Sequence, residues 1–265
     1  MTDTRSSSAG TAAETETATA AGTGTQEHRD RIWEVLTRVG KPDSRFHWDF
    51  SSFIADFEGN EQATARVLEL PVWTRADRVF ITPDNSTERL RREAIRAGKA
   101  LLVTTYGIRR GFLLVEPGTV PEAEISYAAT LDGLDHYARP VTLTELRGGE
   151  PLPLLITGGS AISTNGIRFG KGHGYFDLEW AMLSEIGLTD AASEVVDIVH
   201  DEQVVDEVLT GEPHDVAVDW IATPERLLHV AEPGRAPGRV FWELLPGTEH
   251  ETLPPILELG RDRQP

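Results

Sequence analysis

RVFITPDNSTERLRREAIRAGKALLVTT, residues 78–105, reads as one strand–helix–strand unit. Val79, Phe80 and Ile81 make a short apolar run of β-branched and aromatic side chains, as a buried strand requires. Pro83-Asp84-Asn85-Ser86 interrupts that run with turn and helix-start residues. The helix that follows extends through Ala97 and is closed by Gly98, and residues 100–105 return to a strand. Further strands are expected at 151–157, 195–199 and 216–222. The clearest helix between them is 175–186, where Leu178, Met182 and Ile186 lay an apolar stripe along one face. Strands separated by helices imply a mostly parallel α/β sheet with right-handed crossovers.

On the N-terminal side, Ile32, Trp33, Val35, Leu36 and Val39 recur at helical spacing and stop at Gly40, before Lys41-Pro42. A second, short helix is expected at 63–70, stopped by Pro71. Residues 1–28 contain no Ile, Leu, Val, Phe, Trp or Tyr, so they are read as a disordered tail that cannot offset its ordering entropy by burial. Residues 231–265 are rich in proline and read as an extended C-terminal extension, with Phe241, Trp242, Leu244 and Leu245 docked on the body. The expected organisation is one α/β domain at 29–230 between these two tails.

The 265 residues carry 43 acids against 25 bases, a net charge of −18, and no cysteine. Lacking cysteine, the chain has no disulfide scaffold, thiolate nucleophile or sulfur-ligated metal site. No apolar run approaches the roughly 18 residues of a membrane helix, so no membrane partner is expected and the cytoplasm is the expected compartment. A field of this sign does not attract nucleic acid. Only Lys41, Lys99 and Lys171 are lysines. Many acids with few lysines suit a halophilic protein, kept soluble where salt screens repulsion; an arginine-preferring genome with an acidic tail gives the same counts. The sequence leaves oligomeric state open.

The densest chemistry is at 166–177, GIRFGKGHGYFD. Gly170, Gly172 and Gly174 alternate with Lys171 and His173 directly ahead of the best helix. Alternating glycines let backbone N–H groups converge and approach a ligand with no Cβ in the way. The helix N-terminus adds its dipole and unpaired donors, and Arg168 and Lys171 add full charges. These are the parts of a polyphosphate cradle. The spacing is neither that of a Walker A loop nor that of a dinucleotide fingerprint. Asp177 either complements the helix dipole or holds Mg²⁺ against phosphates. His200 and His214, near strand ends, are acid–base groups, anion contacts or structural residues. Arg89, Arg91, Arg92 and Arg96, interspersed with Glu88 and Glu93, read as a solvated helix face.

GIRFGKGHGYFD, followed by HDEQVV at 200–205 and PHDVAVDWIATP at 213–224, resembles the 5-formyltetrahydrofolate cyclo-ligase family. The likeness runs over about residues 27–228. Arg29-x-Arg31-Ile32-Trp33 and the run GKGHGYFDLEWAML are similar to its divergent methenyltetrahydrofolate synthetase domain branch. The resemblance implies a three-layer α/β/α domain with a mostly parallel sheet, of the type shared with sugar isomerases and CoA transferases. It also implies ATP and Mg²⁺ as cofactors and a reduced folate or related formamide as substrate. In the family ATP phosphorylates the formyl oxygen, N10 attacks the activated carbon, and loss of phosphate closes the methenyl ring. Carried over residue by residue, Arg29, Arg168, Gly170, Lys171, Gly172, His173, Gly174 and Tyr175 would hold the nucleotide, with Arg168 and Lys171 catalytic. Asp84 and Tyr175 would meet the substrate, and Asp177 and Asp219 the metal. The chain departs from the family at Thr25, where a lysine is common, at Asp84, opposite a folate-binding glutamate, and at Ile162-Ser163, opposite Phe-Asp. Two alternatives accompany this reading: a different, possibly thiamine-related, substrate on the same nucleotide site, or a non-catalytic metabolite-binding module.

Overall fold

Residues 78–81 do form a strand buried on both faces, and the sheet is organised around it. The computed structural model describes residues 31–231, 233 and 238–263. The expected tail at 1–28, with Thr25, and the candidate nucleotide contact Arg29 lie outside the described residues. The strands are β1 (Arg78–Ile81), β2 (Ala100–Thr104), β3 (Phe112–Val115), β4 (Arg139–Val141), β5 (Leu154–Thr157), β6 (Ala161–Ser163), β7 (Arg168–Phe169), β8 (Glu194–Ile198), β9 (Val204–Val205), β10 (Trp220–Ala222) and β11 (Leu227–His229). The helices are α1 (31–39), α2 (Asn60–Leu68), α3 (Pro71–Arg75), α4 (Glu88–Arg96), α5 (Ile125–Ala128), α6 (Leu131–Tyr137), α7 (Leu143–Leu146), α8 (Tyr175–Glu185) and α9 (Pro254–Asp262).

The main sheet runs β11-β10-β8-β5-β1-β2-β3-β4. Its five central strands, from β10 to β2, are parallel, and β3, β4 and β11 are antiparallel additions at the edges. Phe80 pairs with Leu102 on one side and Leu155 on the other. Alternate strand residues feed two cores. Phe80, Leu102, Leu155 and Val195 face α8 and α9, while Val79, Ile81, Leu101 and Ile156 face α2, α4 and α5. The domain is therefore the expected three-layer α/β/α arrangement. A second sheet, β7-β6-β9, is small and carries Arg168.

From β1 the chain moves first to β2 and later returns to β5 on the opposite side of β1. That reversal opens a crevice beyond the carboxyl ends of β1 and β5, where open α/β sheets bind ligands.

Three expectations change. Pro71 does not simply end a helix: it opens α3 at N1, where a missing N–H costs nothing. The segment from 238 is not extended. It holds two 3₁₀ turns and α9, whose Ile256 and Leu259 join Val240, Leu245 and Leu253 in the α8 core, whereas Leu244 is half exposed. The arginine helix α4 is not wholly solvated. Arg91 is buried, and its guanidinium donates to the carbonyls of Thr82 (2.6 Å), Asp84 (2.9 Å) and Ala129 (2.8 Å) and to the Thr87 hydroxyl (2.7 Å).

Candidate active site

The crevice is a cleft of about 380 Å³. Its walls are the turns after β1, β2 and β5, and its roof is the glycine-rich loop entering α8. Gly172 (φ 104) and Gly174 (φ 64) adopt left-handed backbone that a side chain disfavours, and Gly174 is the N-cap of α8. Among the described residues, none accepts a hydrogen bond from the backbone N–H groups of 171–174. The loop thus presents unpaired donors at a helix N-terminus, the arrangement that receives anions.

Two cations reach the same space. Arg168, with its side chain only 6% exposed, donates to Asp177 Oδ1 at 2.9 Å, and its guanidinium lies 4.5 Å from the centre of the Phe176 ring. Packing on that ring and pairing with the carboxylate fix the planar head in one place. Lys171, 11% exposed, sits over the rings of Tyr106 (5.2 Å) and Tyr175 (5.9 Å), with its Nζ 4.0 Å from Asp84 Oδ1. Asp84 also accepts from the Thr82 hydroxyl at 2.7 Å. Gly107, in the turn after β2, has φ 61, and a Cβ there would come within 3.3 Å of the Tyr175 hydroxyl. A side chain there would push on Tyr175 as well as strain the backbone.

Gly170, Lys171, Gly172, His173, Gly174, Tyr175, Arg168, Asp84 and Asp177 therefore all line one cleft. Asp219 does not. It lies at the amino end of β10, and its Oδ2 accepts from the Val195 N–H (2.6 Å) at the start of β8, the opposite end of the sheet. Asp177 Oδ1 accepts from both Arg168 and the Val216 N–H (2.9 Å), so this carboxylate anchors Arg168. The two carboxylates named for magnesium do not converge, and among the described residues no group of three His, Asp or Glu does so. They do not fit a protein-built Mg²⁺ site; an ion held by nucleotide phosphates needs few protein ligands. His200 caps a 3₁₀ turn, accepting from the Glu202 N–H at 3.2 Å, a structural task. His214 lies on the cleft wall, 5.8 Å from Phe241 ring to ring.

Residues 22–224 match the 5-formyltetrahydrofolate cyclo-ligase family. The chain belongs to that family. The human protein named methenyltetrahydrofolate synthase domain-containing protein is 32% identical over 244 residues, which is 90% of this chain and 62% of that protein. This member of the family thus spans about three fifths of the length of that relative. The 5-formyltetrahydrofolate cyclo-ligase of Mycolicibacterium smegmatis is 33% identical over 66 residues, 25% of this chain and 30% of the relative. The solved 5,10-methenyltetrahydrofolate synthetase of Aquifex aeolicus superposes with a TM-score of 0.47 at 16% identity, covering 80% of this chain and 95% of that one. No helix among the described residues is long and apolar enough to cross a membrane.

Sequence reasoning passed over two acids beside the cleft of this cyclo-ligase family member. Glu179, on α8, is buried, accepts from the Thr104 hydroxyl through Oε1, and leaves Oε2 with no hydrogen-bond partner. Asp197, on β8, is fully buried, and neither carboxylate oxygen has a hydrogen-bond partner. Burial pushes Glu179 up to about 8, against the opposing effect of the Thr104 bond, and pushes Asp197 up to about 7. The available signal was a lone acid between Leu178 and Trp180 on an otherwise apolar helix face.

Glu179 in the folded protein therefore keeps a proton that the unfolded chain releases near its ordinary value of 4.5. Stability falls as pH rises from there through about 8, and levels off above it. Glu179→Gln, which never ionises, should flatten urea-unfolding stability between about pH 5 and 9 by on the order of 2–4 kcal/mol. Asp197 would leave a residual slope over the lower part of that range. A variant with the wild-type slope would place Glu179 outside this linkage.

Proposed function

We propose that the protein is an ATP-dependent ring-closing ligase acting on 5-formyltetrahydrofolate or a closely related formamide. The observation that carries this reading is the delivery of Arg168 and Lys171, each nearly buried, to one cleft roofed by unpaired N–H groups. In a chain with net charge −18, two cations held at one cleft beneath unpaired N–H groups are a local construction suited to phosphates. Phosphoryl transfer asks mainly for positioning and for neutralisation of spreading charge. Here the N–H groups of the glycine loop and Lys171 would bind the polyphosphate. Arg168, held flat by Asp177 and Phe176, would meet the transferring group. By its place in the family's motif, Arg29 would also contact the nucleotide.

In the reaction so assigned, the formyl oxygen attacks the γ-phosphorus and ADP leaves. N10 then attacks the activated carbon and loses its proton, and phosphate departs with both electrons of the C–O bond. Magnesium would arrive with the nucleotide and neutralise phosphate charge. Asp84 and the aromatic wall of Tyr106 and Tyr175 are the residues assigned to the substrate. A second reading, the same nucleotide site with a different formamide, draws on Asp84, whose carboxylate is already engaged by Thr82 and Lys171.

Calorimetric titration separates the two. ATP and 5-formyltetrahydrofolate should each bind, and saturating one should not displace the other. Binding of ATP alone would favour the second reading, and binding of neither would refute both.

A further inference from the structure

The glycine-rich loop has open space on both sides. The cleft lies in front of it, and a second cavity of about 350 Å³ lies behind, walled by Phe241, Leu244 and Leu245 of the C-terminal segment. A loop flanked by two cavities has few packing contacts to hold it, so its position depends on specific ties. The Glu249 carboxylate supplies one of them. Its Oε1 lies 2.6 Å from His173 Nδ1, and the Tyr175 hydroxyl also acts on the same carboxylate. His173 and Tyr175 bracket Gly174, the N-cap of α8. Their rings stack at 5.3 Å, and the His250 ring lies 5.3 Å from Tyr175.

Glu249 stands on a firm support. It opens the 3₁₀ turn Glu249–Thr252, capped by the Thr248 hydroxyl, which itself donates to the Leu245 carbonyl at 2.7 Å. Leu245 and Leu253, on either side, are buried in the α8 core. Burial alone would raise the Glu249 carboxyl, but the His173 bond and the influence of the Tyr175 hydroxyl outweigh it and hold the acid below its ordinary value. The charged form is the one that clamps. Accepting a proton from Nδ1 would also set the His173 tautomer.

We propose that Glu249 is a positioning residue for the phosphate-binding loop, making the C-terminal segment, which lies beyond the stretch matching the family, a working part of the nucleotide site. The inference rests on the reading of the cleft as an ATP site. Its geometric half, the clamp, stands apart from that reading and can be tested apart from it.

The test uses the full chain and two readouts. Glu249→Ala should accelerate amide hydrogen exchange at 171–175 while β1, β5 and the centre of α8 keep their protection. It should also weaken ATP binding, measured calorimetrically, by about tenfold, the scale of losing a charge-assisted hydrogen bond. Glu249→Gln, whose amide oxygen still accepts one bond, should recover part of both effects and guards against a folding failure of the alanine variant. Unchanged exchange in the loop of Glu249→Ala would overturn the clamp. Accelerated exchange with ATP affinity within about twofold of wild type would overturn its role in the nucleotide site. If the wild-type protein bound no ATP, the ligase reading would fail, and the exchange experiment alone would decide the clamp.

Discussion

Lys171→Ala is expected to lower ATP-dependent turnover at least about a hundredfold in a protein that remains folded. A positioned donor or cation at a developing anion contributes on the order of 10²–10³ in rate, because it acts in a confined site without reorganising. Lys171 meets that description: its ammonium is 11% exposed, boxed by the Tyr106 and Tyr175 rings, and aimed at the space under the loop. Its tie to the fold is slight by comparison. The separation from Asp84 is 4.0 Å, at the limit of an ion pair, so losing it should cost about 1 kcal/mol or less of stability. Lys171→Arg keeps the charge but replaces a point donor by a planar fork, and should recover only part of the rate. The check is steady-state turnover beside a urea-unfolding curve for each variant. Full activity in Lys171→Ala would remove this residue from the phosphate-binding role.

The second large effect is structural and is expected at Arg91. Its guanidinium donates to the buried carbonyls of Thr82 and Ala129, the part-buried carbonyl of Asp84 and a hydroxyl, with Thr82 and Asp84 on the cleft turn. Burial pulls its own pKa down to about 10, which still leaves it charged at neutral pH. Arg91→Leu would remove the donors; the Thr82 and Asp84 carbonyls keep the Thr87 hydroxyl, while the Ala129 carbonyl loses the guanidinium in the interior, at about 1–3 kcal/mol. A total loss of about 2–4 kcal/mol in urea unfolding is expected, since the charged donor also strengthens its other bonds. Arg91→Lys should recover a fraction only, having no fork with which to reach both the turn and the Ala129 carbonyl. Because Arg91 fixes the Asp84 turn from behind, KM for the substrate should rise in Arg91→Lys even where the protein is fully folded. Stability within about 1 kcal/mol of wild type in Arg91→Leu would show that the carbonyls find other partners.

The same residue marks where pattern reading stopped. Arg91 stands among Arg89, Arg92, Glu88 and Glu93, and a cluster of charges on a helix is ordinarily a wetted face. That one side chain instead makes three bonds to backbone carbonyls and one to a hydroxyl, a feature created by the turn at 82–87 folding back over α4. Nothing in local spacing reports it. The parallel centre of the sheet, by contrast, is encoded in continuous apolar runs such as 79–81 and 101–103, whose burial on both faces allows few other arrangements. Strands β3, β4 and β11 are short antiparallel edges with weaker patterns, and escaped notice for that reason.

For the site, the alternation Gly170-x-Gly172-x-Gly174 with Arg168 and Lys171 lies together on one cleft, because backbone curvature and charge are both local properties. Asp219 was assigned by motif position alone, and the fold carries it to the far end of β10, where it accepts from the Val195 N–H. Glu249 lies 75 residues beyond Gly174 in a stretch read as an extended tail, so its contact with His173 depends wholly on how the C-terminal segment packs on α8.

The most direct test of the account is catalytic. The full chain, in buffer containing KCl, is incubated with Mg-ATP and 5-formyltetrahydrofolate while near-ultraviolet absorbance is followed for the methenyl product. The account predicts product that requires ATP and is lost in Lys171→Ala. No product from folded wild-type protein, or product formed equally without ATP or by the Lys171→Ala variant, would contradict it.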